Sequence, residues 1–363
     1  MREGKEEFVV RTKWTWLLLA ALALVVAAGA ASCGGGNDNE NAGNTTGEAS
    51  GDKVALVSDT GGLDDKGFNQ FSVAGFKRGV SDFGFKDRIY VSKTADDYLP
   101  NLTAAAQDGN KLVFAVGFLL GPSVAQAADQ FPDVKFAGVD QFFGGDGCKK
   151  AGTCTRPNVV GMVYPTEQSG YLAGVVAGLM TKSNTVSTVG GKKIPSVDNW
   201  IAGFQQAVHD TKPGVKTLNA YSQDFEDLAK CKEIALDQIA HGSDVVFQVA
   251  GKCGLGALDA ACEKGKIGIG VDVDQSGQGK CVVVSALKPL ETSVYSMLKT
   301  FKDGKFKGGD NTFFGVEQLP DAQLLTDFHG NVPQSVKDAV AKAEKGLKDG
   351  SIKPPATLEE VKQ

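Results

Sequence analysis

Histidine is nearly missing from this chain, with three residues in 363. That scarcity argues against a histidine-built metal centre and against a histidine-based catalytic triad. Basic charge is not in excess either: 38 Lys and Arg stand against 43 Asp and Glu, a formal charge of −5. A protein whose main partner is nucleic acid needs clustered cations to meet phosphates, so that class is set aside. No Gly-Lys-Ser or Gly-Lys-Thr phosphate cradle occurs, so the chain does not itself hydrolyse ATP. The cysteines never fall at CxxC spacing, which removes the usual zinc framework. What the chain does have is 46 glycines within a composition that is 42% hydrophobic and 22% charged. Its length suits two compact domains once a targeting segment is taken off.

That segment is legible at the N-terminus. Arg2, Lys5, Arg11 and Lys13 give a cationic start, and Trp14–Ala30 then runs 17 residues without a charge. A cationic start, an apolar run and small residues at its end describe an export signal, residues 1–32. The run closes on Ala30-Ala31-Ser32-Cys33 followed by three glycines. It resembles a bacterial lipobox, with Ala30 where Leu is usual, and implies that Cys33 is acylated and becomes the mature N-terminus. A plain signal peptide or an uncleaved membrane anchor is the competing reading. Residues 33–51 are rich in Gly, Asn, Thr and Ser and cannot bury apolar area, which predicts a flexible tether with a reach of roughly 20–25 Å.

Six cysteines remain after Cys33, an even number that suits disulfides outside the cytoplasm. Cys148 and Cys154 flank a short polar loop and are expected to pair. The other four allow three connectivities, of which strand and helix positions favour Cys253–Cys281 and Cys231–Cys262.

From Lys53 onward, short β-branched runs alternate with helix-length segments. The runs are Val54–Asp59, Ile89–Ser92, Leu112–Val116, Val134–Val139, Val159–Val163, Thr185–Val189, Val215–Ala220, Val245–Val249, Ile267–Val271 and Cys281–Ala286. Alternation of this kind predicts crossover units and parallel sheets buried on both faces, and ten strands suit two sheets better than one. An internal echo supports the division. Phe114 lies 26 residues before Asp140, and Phe247 lies 25 before Asp272, each span being strand, glycine turn, helix, strand and terminal Asp. Two such lobes would face a shared cleft, and ligands of open α/β sheets sit just outside the strand carboxyl ends.

Specific segments carry a family resemblance. Ser58-Asp59-Thr60-Gly61-Gly62-Leu63-Asp64-Asp65-Lys66-Gly67-Phe68-Asn69-Gln70 resembles the basic membrane protein family, with Gly67 where Ser is usual. Further matches are Phe136–Asp140, Ser169–Gly174, Ala202-Gly203-Phe204, Gly270-Val271-Asp272, Ser285–Lys288 and Gly330–Pro333, so the likeness runs from about residue 53 to the C-terminus. These proteins are lipoprotein substrate-binding subunits of ABC transporters, and many bind nucleosides, the purine nucleoside receptor proteins among them. The resemblance implies an α/β fold of the periplasmic-binding-protein type I class, with two Rossmann-like lobes and parallel-rich sheets around a ligand cleft. One lobe would take 52–164 plus about 289–310, and the other 165–288 plus about 311–363.

It also implies a site. Phe68 and Phe204 would stack on a base from opposite lobes, each ring adding roughly 0.5–1.5 kcal/mol beyond area burial. Asp272 would accept from the ribose diol with Lys288 beside it, through charged hydrogen bonds worth roughly 1.5–3 kcal/mol each. Asp59, Asn69 and Asp140 would read the base edge and the 5′-hydroxyl, although a helix-cap or turn role competes for Asp140. Asn69 suits a purine edge because it both donates and accepts. Gly251 would bring bare backbone close to the sugar. Tyr171 and Met162 suit the wall or the core equally.

Neighbouring features read as structural. Asp64-Asp65 lacks the oxygen-ligand series of an EF-hand and is expected to serve the turn and face solvent. Gly254-Leu255-Gly256 falls short of the six-residue dinucleotide pattern and reads as a helix start facing the cleft. The expectation is therefore a lipid-anchored receptor facing outside the cytoplasm, monomeric, without cofactor, that hands a nucleoside to a permease. Alternatives are another flat ligand such as riboflavin, or a membrane-tethered sensor without a transport role. An enzyme is disfavoured because no nucleophile–base pair is present in the motifs.

Overall fold

The computed structural model describes residues 51–362. The expected signal 1–32, Cys33 and nearly all of the tether 33–51 lie outside the described residues. The chain then alternates through β1 (Lys53–Val57), α1 (Phe68–Phe83), β2 (Lys86–Tyr90), α2 (Tyr98–Gln107), β3 (Leu112–Val116), α3 (Gly121–Gln130), β4 (Lys135–Val139), the single turn α4 (Cys148–Ala151) and β5 (Val159–Val163). A second series follows: α5 (Thr166–Met180), β6 (Thr185–Gly190), α6 (Pro195–Thr211), β7 (Lys216–Tyr221), α7 (Leu228–Ala240), β8 (Val245–Val249), α8 (Gly251–Glu263), β9 (Ile267–Asp272) and β10 (Val282–Leu287). After β10 come α9 (Leu290–Lys302), β11 (Asp310–Phe313) and α10 (Gln334–Lys348).

Each of the ten apolar runs lies on a strand. The first sheet has the order β11-β5-β4-β3-β1-β2 and the second β10-β9-β8-β6-β7. All strand pairs are parallel. Read from its other edge, the first sheet runs β2-β1-β3-β4-β5, the winding of β7-β6-β8-β9-β10, so the echo in the sequence is a repeat of topology. The central strands show why the pattern is near-continuous rather than alternating. In β3, Leu112, Phe114 and Val116 enter the core on one face while Val113 and Ala115 enter that on the other. Both faces are covered by helices, as parallel sheets require.

The chain passes between the sheets after β5, β10 and β11. Helix α9 packs on α1 in the first lobe, and α10 packs on α5 in the second. The first lobe also keeps β11, which pairs with β5 from Asp310 to Phe313. The expected return near residue 311 therefore falls a few residues early. Nothing in Asp-Asn-Thr-Phe announces a strand; it is an edge, held where the Asn311 side chain accepts from Phe143 N at 2.9 Å and donates to Phe143 O at 2.8 Å.

Two of the three disulfides differ from the favoured connectivity. Cys148–Cys154 is present as expected, but the others are Cys231–Cys253 and Cys262–Cys281. Helix geometry explains the exchange. Cys253 and Cys262 sit at opposite ends of α8, separated by roughly 13 Å at 1.5 Å rise per residue. In a parallel crossover the helix runs back along the sheet, so its C-terminus returns to where strands begin. Cys281, immediately before β10, therefore meets Cys262, and Cys253 at the opposite end meets Cys231 of α7.

Candidate functional site

The carboxyl ends of both sheets converge on one hollow of about 630 Å³, open solvent at its mouth included. Asp59 follows β1, Asp140 follows β4, Asp272 ends β9 and Lys288 follows β10. Phe68 and Asn69 open α1, and Gly251 opens α8. All seven of these expected residues line the hollow. Asp140 and Asp272, the two ends of the internal echo, also share an unusual backbone, with φ of +63° and +66°. Aspartate is among the few residues that enter the left-handed region readily. That conformation leaves both carboxylates beside the same lysine.

Lys288 links the two. Its Nζ lies 2.7 Å from Asp140 Oδ2 and 3.7 Å from Asp272 Oδ1, with the lysine side chain only 3% exposed. The expected partner was Asp272, yet the shorter contact is to Asp140. The same ammonium lies 5.0 Å from the Phe68 ring centre, 5.5 Å from Tyr164 and 5.7 Å from Trp200. Burial works against its charge, but the carboxylates of Asp140 and Asp272 outweigh that and hold it above the usual lysine range. Burial pushes the Asp272 carboxyl up to about 6, with Lys288 opposing and Asp140 adding to the rise. Asp272 Oδ1 has no hydrogen-bond partner although it is buried. Such an acceptor is costly to leave unmet.

The first lobe contributes a glycine loop and the start of α1. Asp59 Oδ1 accepts from Thr60 N at 2.7 Å and from the Tyr98 hydroxyl. Burial raises its carboxyl above the ordinary range, against the effect of Tyr98 and Thr60. Asp65 is not the solvent residue expected. It is 3% exposed and accepts from Gly67 N, Asn69 N and Gln70 N at 3.0, 2.8 and 3.0 Å, satisfying the open N-terminus of α1. Its neighbour Asp64 is exposed and reaches Lys252 of the other lobe at 3.3 Å. Two further contacts join the lobes here: Gly61 N donates to Glu226 Oε1 at 3.0 Å and Gln275 Nε2 to Lys66 O at 3.5 Å.

Phe204 is the residue the structure takes out of the expected site. It is wholly buried, stacks on Phe247 at 5.2 Å in the core of the second lobe and does not line the hollow. Close packing fixes this arrangement: a Cβ at Gly203 or Gly174 would collide with backbone of the facing helix, so α5 and α6 lie in direct contact. The aromatic residue of α6 that does reach the hollow is Trp200, one turn earlier. Sequence reasoning also missed Phe118 of the first lobe and Phe225 of the second, both half-buried on the wall. Phe225 has room because Gly191 faces its ring, where any side chain would collide. Its carbonyl accepts from Cys253 N at 2.9 Å, so the Cys231–Cys253 disulfide sits directly behind it.

Tyr171 and Met162 are core residues, Tyr171 donating to Asp210 at 2.9 Å. Gly254 and Gly256 lie within α8 and pack against Gln248 and Leu228 rather than facing the cleft. Gly251 has φ +56° and borders the hollow. Among the described residues no group of His, Cys, Asp and Glu is placed to hold a metal ion.

A family model described as an ABC transporter substrate-binding protein, PnrA-like, matches residues 52–353. The chain belongs to this family. Its members bind solutes and are not enzymes. The PnrA-like chain is 32% identical over 339 residues to the ABC transporter nucleoside-binding protein BmpA of Lactococcus lactis, covering 87% of this chain and 93% of that one. It is 28% identical to an uncharacterized lipoprotein of Pyrococcus horikoshii, over 83% and 78% of the two chains. Among solved structures, a solute-binding protein of an ABC transporter system from Aeropyrum pernix shares the fold with TM-score 0.73 at 20% identity, covering 83% and 92%.

Proposed function

We propose that this substrate-binding protein captures a nucleoside between its lobes and presents it to a membrane permease, held to the membrane through Cys33. The observation that carries the reading is the base of the hollow: the unmet Asp272 acceptor beside a charged Lys288, within a wall bearing four aromatic rings. An acceptor of this kind calls for a ligand that donates, and a ribose diol supplies two hydroxyls. Lys288 offsets one of the two carboxylates, so the pocket suits a neutral ligand better than an anion. Flat surfaces for the base come from Phe68 and Phe118 on one side and Trp200 and Phe225 on the other. The printed name of the Lactococcus relative supports a nucleoside, and that of the Pyrococcus relative supports a lipid anchor. Closure follows from differential affinity: a ligand that touches both jaws favours the form in which they meet. The contacts of Gly61 with Glu226 and of Asp64 with Lys252 belong to that form.

A thermal-shift and calorimetry panel of nucleosides, free bases, ribose and flavins tests the ligand. A nucleoside at about one hundred times its Kd should add about 2.7 kcal/mol of stability by mass action. Stabilisation by riboflavin alone, or by nothing in the panel, would overturn the reading. For the anchor, Cys33→Ser should release the protein from membranes, and a variant that stays bound would refute acylation.

A further inference from the structure

Asn69 is 2% exposed, and its amide is set in one orientation by its surroundings. Nδ2 donates to Thr60 O at 3.0 Å, and since a carbonyl oxygen can only accept, the nitrogen must face it. Oδ1, by contrast, is buried without any partner. One of the two amide protons is engaged by Thr60 O, and what the side chain lacks is a donor for its oxygen.

The surrounding loop is in the same condition. Thr60 N is held by Asp59, Gly61 N by Glu226 and Lys66 N by the Gln70 side chain. Gly67 N, Asn69 N and Gln70 N all go to Asp65. The start of α1 would otherwise favour an anion, but the Asp65 carboxylate fills that position. The side-chain acceptors on this side of the hollow include Asn69 Oδ1 and the Asp59 carboxylate.

We infer that this wall reads hydrogen-bond donors on the base, and so selects nucleosides whose base carries an exocyclic amino group over those with a carbonyl there. The inference rests on the nucleoside reading above and names the class within it. A carbonyl oxygen set against Asn69 Oδ1 would place two acceptors face to face with neither satisfied, the arrangement that binding sites discriminate against most strongly. An amino group instead fills the open acceptor.

The test is calorimetry on the mature protein with adenosine and inosine, which differ by amino against carbonyl at C6, and with purine riboside, which has hydrogen there. Adenosine should bind at least tenfold more tightly than inosine, with purine riboside weaker than adenosine. Asn69→Ala should bring the adenosine-to-inosine ratio close to one, mainly by loss of adenosine affinity. If that variant does not fold, the wild-type panel decides alone. Inosine binding as tightly as adenosine would overturn the inference and leave the nucleoside reading standing. Absence of binding by every nucleoside would overturn both.

Discussion

Replacing Lys288 by Met keeps the stem and deletes the charge, which isolates what the ammonium does. Its Nζ stands 2.7 Å from Asp140 and 3.7 Å from Asp272, and at an effective dielectric of about 20 those separations correspond to attractions of about 6 and about 4 kcal/mol. Much of that gross attraction is cancelled by the cost of keeping three charges out of water. Removing one member of a buried ion group while the others stay costs about 3–5 kcal/mol, and that is the loss expected for Lys288→Met at pH 7.5. The loss should depend on pH with a definite sign. Without the lysine, the Asp272 carboxyl loses the group that opposes its rise and is pushed further above its unfolded value. A raised carboxyl contributes stability that is full below about pH 4 and is lost as pH rises through the folded-state value. The deficit of the variant should therefore be largest near pH 8 and narrow towards pH 5. Urea unfolding across that range measures it. Adding Asp140→Asn and Asp272→Asn to the variant should recover most of the loss, because no uncompensated charge remains. A deficit under about 1 kcal/mol, or one that does not change with pH, would refute the argument.

Three other outcomes are expected. The Asp272 carboxyl at about 6 must be ionised to accept from a diol, so nucleoside affinity should be flat above pH 7 and about tenfold weaker at pH 5, read by calorimetry. The empty protein should move the opposite way, gaining about 3 kcal/mol from this one group as pH falls from above about 7 to below about 3, because its folded value is raised; carboxyls elsewhere that are lowered will oppose that gain. Phe204→Ala should cost about 3–5 kcal/mol of stability and leave nucleoside Kd within threefold. Phe225→Ala should cost little stability and weaken the nucleoside by about 1–3 kcal/mol while leaving free ribose unaffected; the reverse pattern would restore Phe204 to the site. Removing Cys262–Cys281 as a pair of alanines should cost about 3 kcal/mol of stability with affinity unchanged. Removing Cys231–Cys253 in the same way should cost a similar amount and also weaken binding, since it backs Phe225; equal affinities for the two double variants would show that the second bond has no positioning role.

The fold was legible wherever a strand is buried on both faces. Leu112–Val116 is a continuous apolar run, and Val245–Val249 is broken only by the buried Gln248, because each strand has helices above and below it. Legibility fails at the edges. In β2 the first three residues are Lys86, Asp87 and Arg88, all exposed, so the apolar signal begins only at Ile89. In β11 there is no apolar run, and the strand depends on the remote Asn311–Phe143 pairing. The disulfides show the same limit: four cysteines in one lobe are compatible with several pairings until the direction of α8 relative to the strands is taken into account.

The site divides along a similar line. Residues at the strand carboxyl ends could be placed from sequence, because a parallel sheet brings all such ends to one side whatever the packing above them. Phe204 could not. In α6, Val197, Trp200 and Phe204 follow one another at three- and four-residue steps on a single buried stripe, and periodicity identifies the stripe without saying which part of it meets the cleft. Topology does say. A helix that follows a strand starts at the cleft and runs away from it, so the first two turns of α6 are near the ligand and Phe204, nine residues in, is roughly 13 Å further along. By that rule Trp200 belongs to the wall and Phe204 to the core against Phe247, which is the arrangement found. The same rule puts Gly251 and Cys253 at the cleft and Cys262 at the far end of α8. Distance from the start of the helix, added to the hydrophobic stripe, would thus have corrected the ring and the disulfides together.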